Sequence, residues 1–420
     1  MLAAMARDEA ERAGVPAIDM LVVGDLRRHA PEVPGVPLLA VCEPERAAGV
    51  LGDFARLPMV TAVLERTATS VSVDTARGAI VLHATGPDTA GAALVWLTGS
   101  ARHVEQLAAR AGRRGLAFAA GQLRRASGEA AYTPDEERVY RLLDLPLVPP
   151  ELREGDGEVE AAERGLPPLV SSVHVRGDLH MHSTWSDGRD SIRQMVRAAG
   201  RLGYEYVAIT DHSERAMASR RLLALEIPIQ REEIDRLRAD MPGIRILHGV
   251  EVDILEDGSL DFTDTQLAQF DVVLASLHED HGHPGSRLTE RYLTAMRHPL
   301  VNVVTHPANR SPGLSPGYDL DYDRLFEAAV ETGTAMEVDG SPVHLDMDGR
   351  VARRAAAAGV TIVVSSDSHR ADALGRQMRF ALGTARRGWV GPDSVLNARD
   401  TSAVQAFVAR KRAAGRAVDG

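Results

Sequence analysis

Cysteine and lysine are almost absent from this chain. Cys42 is the single cysteine among 420 residues, which excludes intramolecular disulfides and thiolate-held metal clusters. At the end of the apolar stretch 38–41 it reads as a small buried residue. Lys411 is the single lysine, so arginine carries nearly all positive charge. No apolar run approaches the ~20 residues that span a bilayer. The N-terminus mixes Arg7, Asp8, Glu9, Glu11 and Arg12 with alanine and reads as a short helix rather than a signal peptide. Repeats and low-complexity tracts are lacking. The net charge of −11 argues against bulk electrostatic binding of nucleic acid. The chain is long and apolar enough for two domains with sizeable cores, and the expectation is a soluble cytoplasmic enzyme without a membrane partner. Composition says nothing of its oligomeric state.

What is present is a series of histidines and carboxylates. His180 and His182 lie in His-Met-His, followed by Asp187 in Ser-Asp-Gly. His212 follows in Thr-Asp-His, Glu251 in Gly-Val-Glu, His278 in Ser-Leu-His and His306 in Thr-His-Pro. Asp367 and His369 close the series in Ser-Asp-Ser-His. Imidazoles and carboxylates suit zinc, manganese or iron. A spacing of two on a strand puts both members of each pair on one face. Apolar runs precede most of the motifs: residues 207–209, 272–274, 301–304 and 362–364. Each run predicts a buried parallel strand ending in a polar loop, and strand ends of that kind converge in a βα barrel. Nine such residues point to a multi-metal hydrolytic centre.

Residues of about 175–400 resemble the PHP (polymerase and histidinol phosphatase) family. The resemblance implies a distorted, TIM-like βα barrel with three divalent metal ions. It implies that His180, His182, Glu251 and Asp367 hold one ion and that Glu251 bridges to a second held by His278 and His306. Asp187, His212 and His369 would hold the third. Three carboxylates against three divalent ions would leave the loaded pocket at about +3, an anion trap. The implied reaction is phosphoester hydrolysis by a water whose pKa the cations lower toward roughly 7; no side-chain nucleophile is assigned. Arg310 reads as a bidentate clamp on substrate phosphate or a surface ion pair, and His281 and His283 as phosphate-binding groups, a replacement ligand or incidental histidines of a surface loop.

The segment Gly177-Asp-Leu-His180, the turn Trp185-Ser-Asp-Gly188, Thr289-Glu-Arg291 and Ala385-Arg-Arg-Gly-Trp389 look like the PHP domain of bacterial family X DNA polymerases. Leu97-Thr-Gly-Ser100, Glu137-Arg-Val-Tyr140 and Pro149-Pro-Glu-Leu-Arg-Glu154 look like their thumb and linker, and Gly24-Asp-Leu-Arg-Arg28 like the start of their palm. The likeness begins near residue 17, so the expectation is a palm without the helical domains that precede it in that family. Where the family carries its three metal-binding aspartates this chain has Gly35, Pro37 and Val81. None of these side chains holds the Mg²⁺ that nucleotidyl transfer requires.

The expected organisation is a degenerate nucleotidyltransferase-like α/β palm with a helical thumb over residues 1–150. A linker over 151–172, the PHP barrel over 173–400 and a C-terminal helix or tail over 401–420 follow. Thr133 is expected to cap a helix beginning at Pro134. Ile192, Met195, Val196, Ala199 and Leu202 are expected to form the buried stripe of another. Arg27 and Arg28 read as a phosphate contact or a solvated turn. Arg102, Arg110, Arg113, Arg114, Arg124 and Arg125 read as a phosphate-tracking face or a solvated one. Asp211, and more weakly Asp253 and Asp339, read as groups orienting metal ligands. His29, His83, His103, His174, His248, His298 and His344 read as structural or exposed. The function expected is a DNA 3′→5′ exonuclease or 3′-end processing enzyme without polymerase activity. The alternatives are a small-molecule phosphomonoesterase and a non-catalytic DNA-end-binding scaffold.

Overall fold

The computed structural model describes residues 1–278 and 283–418, and it divides into two compact units, Met1–Pro167 and Pro168–Gly420. The first contains a five-stranded sheet of β1 (Asp19–Val22), β2 (Val36–Val41), β3 (Val60–Arg66), β4 (Ser70–Thr75) and β5 (Ile80–Thr85). Its order is β1-β2-β5-β4-β3. All its pairs are antiparallel except β2–β5, which sets Pro37 beside Val81. The N-terminal helix Leu2–Arg12 buries Ala3, Ala6 and Ala10 against this sheet, and Cys42 is fully buried in the same core. Burial, with Glu43 nearby, raises the Cys42 thiol pKa.

The helix Ala101–Arg113 and the hairpin β6 (Leu116–Ala119) and β7 (Gln122–Arg125) follow. The next helix, Glu136–Leu142, is capped by Asp135, whose side chain accepts from the Arg138 N–H. Thr133 is not the cap. It is buried, and its backbone is taken up by Gly91 and Asp88. The stretch expected as a linker is also partly folded. Residues 150–152 form a 3-10 turn, Glu158–Arg164 is helical, and Arg153 and Glu158 are fully buried.

That burial depends on a polar network. His103 Nδ1 lies 2.6 Å from Glu158 Oε1, and its Nε2 lies 2.9 Å from the Tyr140 hydroxyl. Arg153 donates to the Val148 carbonyl at 2.9 Å and to Glu136 at 2.5 Å. Arg27 grips the same Glu136 through two nitrogens, at 2.8 and 2.6 Å, and Arg28 reaches Glu154 at 2.9 Å. Both arginines therefore tie the turn after β1 to residues more than a hundred positions away, which is not the solvated turn that was one expectation, and Arg28 also lines the first unit's cavity.

The second unit is a seven-stranded parallel sheet in which spatial order follows chain order: β8 (Gly177–Asp178), β9 (Tyr206–Ile209), β10 (Arg245–Asp253), β11 (Val272–Ser276), β12 (Val303–Val304), β13 (Ala335–Asp339) and β14 (Ile362–Ser365). A parallel bridge between Met181 and Ser368 brings its first and last edges together, giving a nearly closed barrel. Successive residues split between two cores, as strand alternation requires. Tyr206, Ala208, Leu247, Leu274, Val303, Ala335 and Val363 share the inner one. Val207, Ile209, Ile246, Val273, Val304 and Val364 join the outer one beneath the helices. The helix Ile192–Arg201 carries a Ser191/Gln194 capping box and buries Ile192, Met195, Val196 and Ala199. Leu202 falls at its C-cap and is 47% exposed, so the stripe ends one residue early.

The C-terminal helix Thr401–Val418 inserts Val404, Phe407 and Val408 into the inner core, beside the first residues of β9, β11 and β13. No helix among the described residues is long and apolar enough to cross a membrane. Lys411 on this helix is buried and donates to the Met296 carbonyl at 2.8 Å and to Thr334 Oγ1. Burial pushes its pKa down to about 7. Between pH 7 and the ordinary lysine value near 10.4 the unfolded chain holds a proton that the native amine has lost, so stability rises with pH across that window. The expected result is a thermal midpoint that climbs from pH 7 to 9.5 in the native protein and less so in Lys411→Met. Parallel slopes would refute it.

Candidate metal centre

Every residue of the histidine–carboxylate series lies within or just beyond the carboxyl end of a barrel strand, Asp187 excepted, which a turn after His182 carries back to the site. Glu251 lies within β10, the longest strand, and is fully buried. Its two oxygens face different partners. Oε1 lies 2.8 Å from His306 Nε2 and 3.7 Å from His278 Nε2. Oε2 lies 3.0 Å from His212 Nδ1, 3.4 Å from His180 Nε2 and 3.6 Å from His182 Nε2. Asp367 Oδ1 is 3.1 Å from His182 Nε2 and 3.6 Å from His180 Nε2. Asp187 Oδ1 is 3.2 Å from His369 Nε2 and 3.7 Å from His212 Nε2. The structure therefore brings all nine together.

Three groups have atoms close enough to share an ion: His180, His182 and Asp367; His212, Glu251 and His278; and His182, Asp187, His212 and His369. This partition differs from the one the resemblance implies. His182 and His212 each belong to two groups, and His306, in none of the three, meets the cluster through Glu251 and through ring contacts with His278 and His180.

The donors fit cations. His180 and His182 approach nitrogen to nitrogen at 3.1 Å. Asp187 Oδ1, His212 Nδ1 and Glu251 Oε2 are buried without a hydrogen bond, an arrangement that buried polar groups ordinarily avoid. Burial alone would lower the His180 pKa, yet Glu337, Glu251 and Asp367 hold it well above the usual imidazole value. Burial likewise opposes charge on His369, and Asp367 and Asp187 raise it to about 9. Burial, with His369 and His212 beside it, instead pushes His182 down to about 3. The carboxylates thus demand positive charge here, which divalent ions can supply. His306 and Asp367 also have φ values of +22° and +46°, a conformation that non-glycine residues avoid at a cost of roughly 1–3 kcal/mol.

A second layer of side chains aims the first. Glu337 on β13 reaches His180 Nδ1 at 2.7 Å through Oε1 and accepts from the His306 backbone N–H at 2.8 Å through Oε2. Nothing in the sequence marks Glu337 out, because a glutamate inside an apolar strand carries no motif. Asp253 holds His278 Nδ1 at 2.7 Å, the orienting role expected of it. Asp211 serves another end. Its carboxylate receives Ser183, Ser186 and Gln230, which fixes the turn before Asp187 rather than His212. Asp339 accepts from the Ser341 backbone N–H at 2.6 Å and touches no candidate ligand through a hydrogen bond.

The cluster opens into a cavity of about 340 Å³ lined by Asp187, His212, Glu251, His278, His306, Asp367 and His369, with Ala216, Met217, Ala218, Ser341, Val343 and His344. His344, read from sequence as structural or exposed, stacks on His306 with ring centroids 4.6 Å apart, and its Nδ1 faces the Arg310 carbonyl. Arg310 itself does not line the cavity. Its guanidinium is 3.5 Å from Asp348, which leaves the expected phosphate clamp facing another carboxylate. His283 does not line it either, and His281 lies outside the described residues.

In the first unit, Gly35, Pro37 and Val81 line a single cavity of about 440 Å³. Asp25 is the one carboxylate among its lining residues, and it is salt-bridged to Arg28. Of the clustered arginines, Arg110 binds the Leu143 and Asp144 carbonyls, Arg114 the Leu142 carbonyl and Arg124 the Gly128 carbonyl. Arg102 pairs with Asp156. Arg113 and Arg125 are exposed and make no ion pair among the described residues.

A family model of the PHP domain matches residues 178–309, and one of the DNA polymerase beta thumb matches residues 93–154. The chain is 41% identical over 284 residues to a Bacillus subtilis protein named DNA polymerase/3′-5′ exonuclease PolX, covering 68% of this chain and 50% of that one. It thus spans about half the length of that relative. It is 28% identical over 239 residues to a "Probable phosphatase" of Syntrophotalea carbinolica, covering 54% of this chain and 94% of the relative. A "Probable phosphatase" of Shewanella oneidensis is 30% identical over 218 residues, 50% of this chain and 79% of its own. With its barrel, its histidine–carboxylate cluster and these relatives, the chain belongs to the PHP-domain family of metal-dependent phosphoester hydrolases.

Proposed function

We propose that the protein removes nucleotides or blocking groups from DNA 3′ ends by metal-dependent hydrolysis and does not polymerise. The observation that carries the hydrolytic reading is the convergence of nine ligand-type side chains in one cluster around Glu251, seven of which line a single cavity. His180, His182, Asp187, His212, Glu251, His278, His306, Asp367 and His369 would hold two to three ions of zinc, manganese or iron. Bound there, such ions lower the pKa of water and neutralise phosphate charge. The protein's share is to hold the donors still. Glu337 and Asp253 fix His180, His306 and His278, and partners of that kind typically contribute 10- to 100-fold in metal affinity or activity. The small cavity admits one phosphoester unit with its neighbouring group rather than a duplex.

Support for a DNA substrate comes from the thumb match and from the relative named as a polymerase and exonuclease. Support for a protein that does not polymerise comes from Gly35, Pro37 and Val81 in the first unit's cavity, none of which offers a side-chain metal ligand. No primer extension is expected on a gapped duplex with Mg²⁺ or Mn²⁺, measured in an Asp187→Ala background to suppress hydrolysis. Template-dependent extension would refute this. A small phosphomonoester is the competing substrate, because the relatives named as phosphatases are covered over 94% and 79% of their length. The deciding assay compares 3′-labelled and 3′-phosphorylated oligonucleotides with histidinol phosphate and p-nitrophenyl phosphate under Mn²⁺. The proposal expects faster oligonucleotide hydrolysis that falls steeply with salt and weakens in Arg113→Ala/Arg125→Ala. Faster small-ester turnover, indifferent to salt and to those arginines, would favour the phosphatase.

A further inference from the structure

The metal-site cavity has an apolar rim that the hydrolytic chemistry does not use. Met217 is 84% exposed and Val343 60% exposed, yet both line the cavity that holds Glu251 and Asp367. A lone exposed apolar side chain is ordinary; here two from different loops meet at one charged cavity. Neither loop hangs loose. The loop carrying Met217 is pinned where Ser213 N–H donates to the Glu251 carbonyl (3.0 Å) and Leu222 N–H to the His212 carbonyl (2.8 Å). The Arg215 N–H adds a bond to Asp261 at 2.7 Å. Val343 lies in a turn closed by the His344 N–H on the Ser341 carbonyl at 3.0 Å.

We infer that Met217 and Val343 form a platform for the nucleobase of the terminal nucleotide and set the enzyme's preference for base-bearing ends. This rests on the DNA 3′-end reading. Charge complementarity narrows the occupant. The ligand cluster, once loaded, draws the phosphate, so the group seated on the rim is the uncharged one attached to it. The net charge of −11 gives the chain no bulk attraction for a polyanion, so its electrostatic hold on DNA is confined to local cations such as Arg113 and Arg125. Contact with a flat apolar face supplies affinity that charge does not, and methionine sulfur packs well against aromatic rings. The cavity volume, about 340 Å³, lies at the small end for ligand pockets, which suits a single nucleotide.

The test uses the full-length, metal-loaded protein and two single-stranded oligonucleotides that differ only at the 3′ residue, one normal and one abasic. The native protein should favour the normal end by roughly tenfold in kcat/KM, with the difference residing in KM. In Met217→Ser/Val343→Ser that ratio should collapse toward one, whereas Met217→Leu/Val343→Ile should keep it. A native ratio near one, or an unchanged ratio in the serine variant, overturns the platform while leaving DNA hydrolysis standing. Failure of the native protein to cut either oligonucleotide overturns both the platform and the DNA reading.

Discussion

Replacing Glu251 by Gln is expected to lower phosphoester hydrolysis by at least about 100-fold, without unfolding the barrel. The side chain is fully buried and its two oxygens address five imidazoles. Gln keeps the shape and removes the charge. The remaining amide oxygen serves one side of the cluster, and the amide nitrogen, a donor only, faces the other. Loss of a group that merely supports a ligand costs up to about 100-fold; loss of a carboxylate placed between ligand groups should exceed that. Thr305 Oγ1, which donates to Glu251 Oε1 at 3.1 Å, keeps an acceptor if the amide oxygen takes that side. Steady-state rates and circular dichroism, measured together, check it. Activity within tenfold of native would remove Glu251 from its central place.

Arg153→Ala is the second large effect, this time on stability. The guanidinium is fully buried, satisfies the Val148 carbonyl and shares Glu136 with Arg27. It also lies 5.3 Å from the centre of the Tyr140 ring. Burial would favour neutral Glu136, but Arg27 and Arg153 hold its carboxyl pKa below the ordinary value. Removing one cation from such a buried pair costs roughly 3–5 kcal/mol, a large part of the 5–15 kcal/mol that stabilises a typical domain. The expected result is an early unfolding transition of the first unit, with Arg153→Met less damaged because the aliphatic stem still packs. Denaturation followed in both variants checks it; a shift under 1 kcal/mol for Arg153→Ala would contradict the network's role.

The barrel and its ligands were legible because each strand is a short apolar run and each ligand stands at or near its end. Residues 207–209, 272–274 and 362–364 lie within β9, β11 and β14, and the nine side chains meet. Groups whose role depends on distant partners were not legible. Glu337 sits mid-strand and reveals itself only through His180, 157 positions earlier. His344 resembled any surface histidine until its ring was found against His306. Arg27 and Arg28 have no local pattern that names Glu136 or Glu154. Arg310, near His306 in sequence, was compatible with a phosphate clamp or an ion pair, and the chain turns it to Asp348. Thr133 and Asp135 both satisfy cap chemistry, and only the tertiary pairing of Thr133 with Gly91 and Asp88 decides between them.

The central claim, that the nine side chains are metal ligands, is tested most directly by elemental analysis of the purified full-length protein after exhaustive dialysis. Two to three equivalents of zinc, manganese or iron per chain are expected, falling in Glu251→Gln. Less than one equivalent in the folded native protein, after growth in metal-supplemented medium, would contradict the assignment.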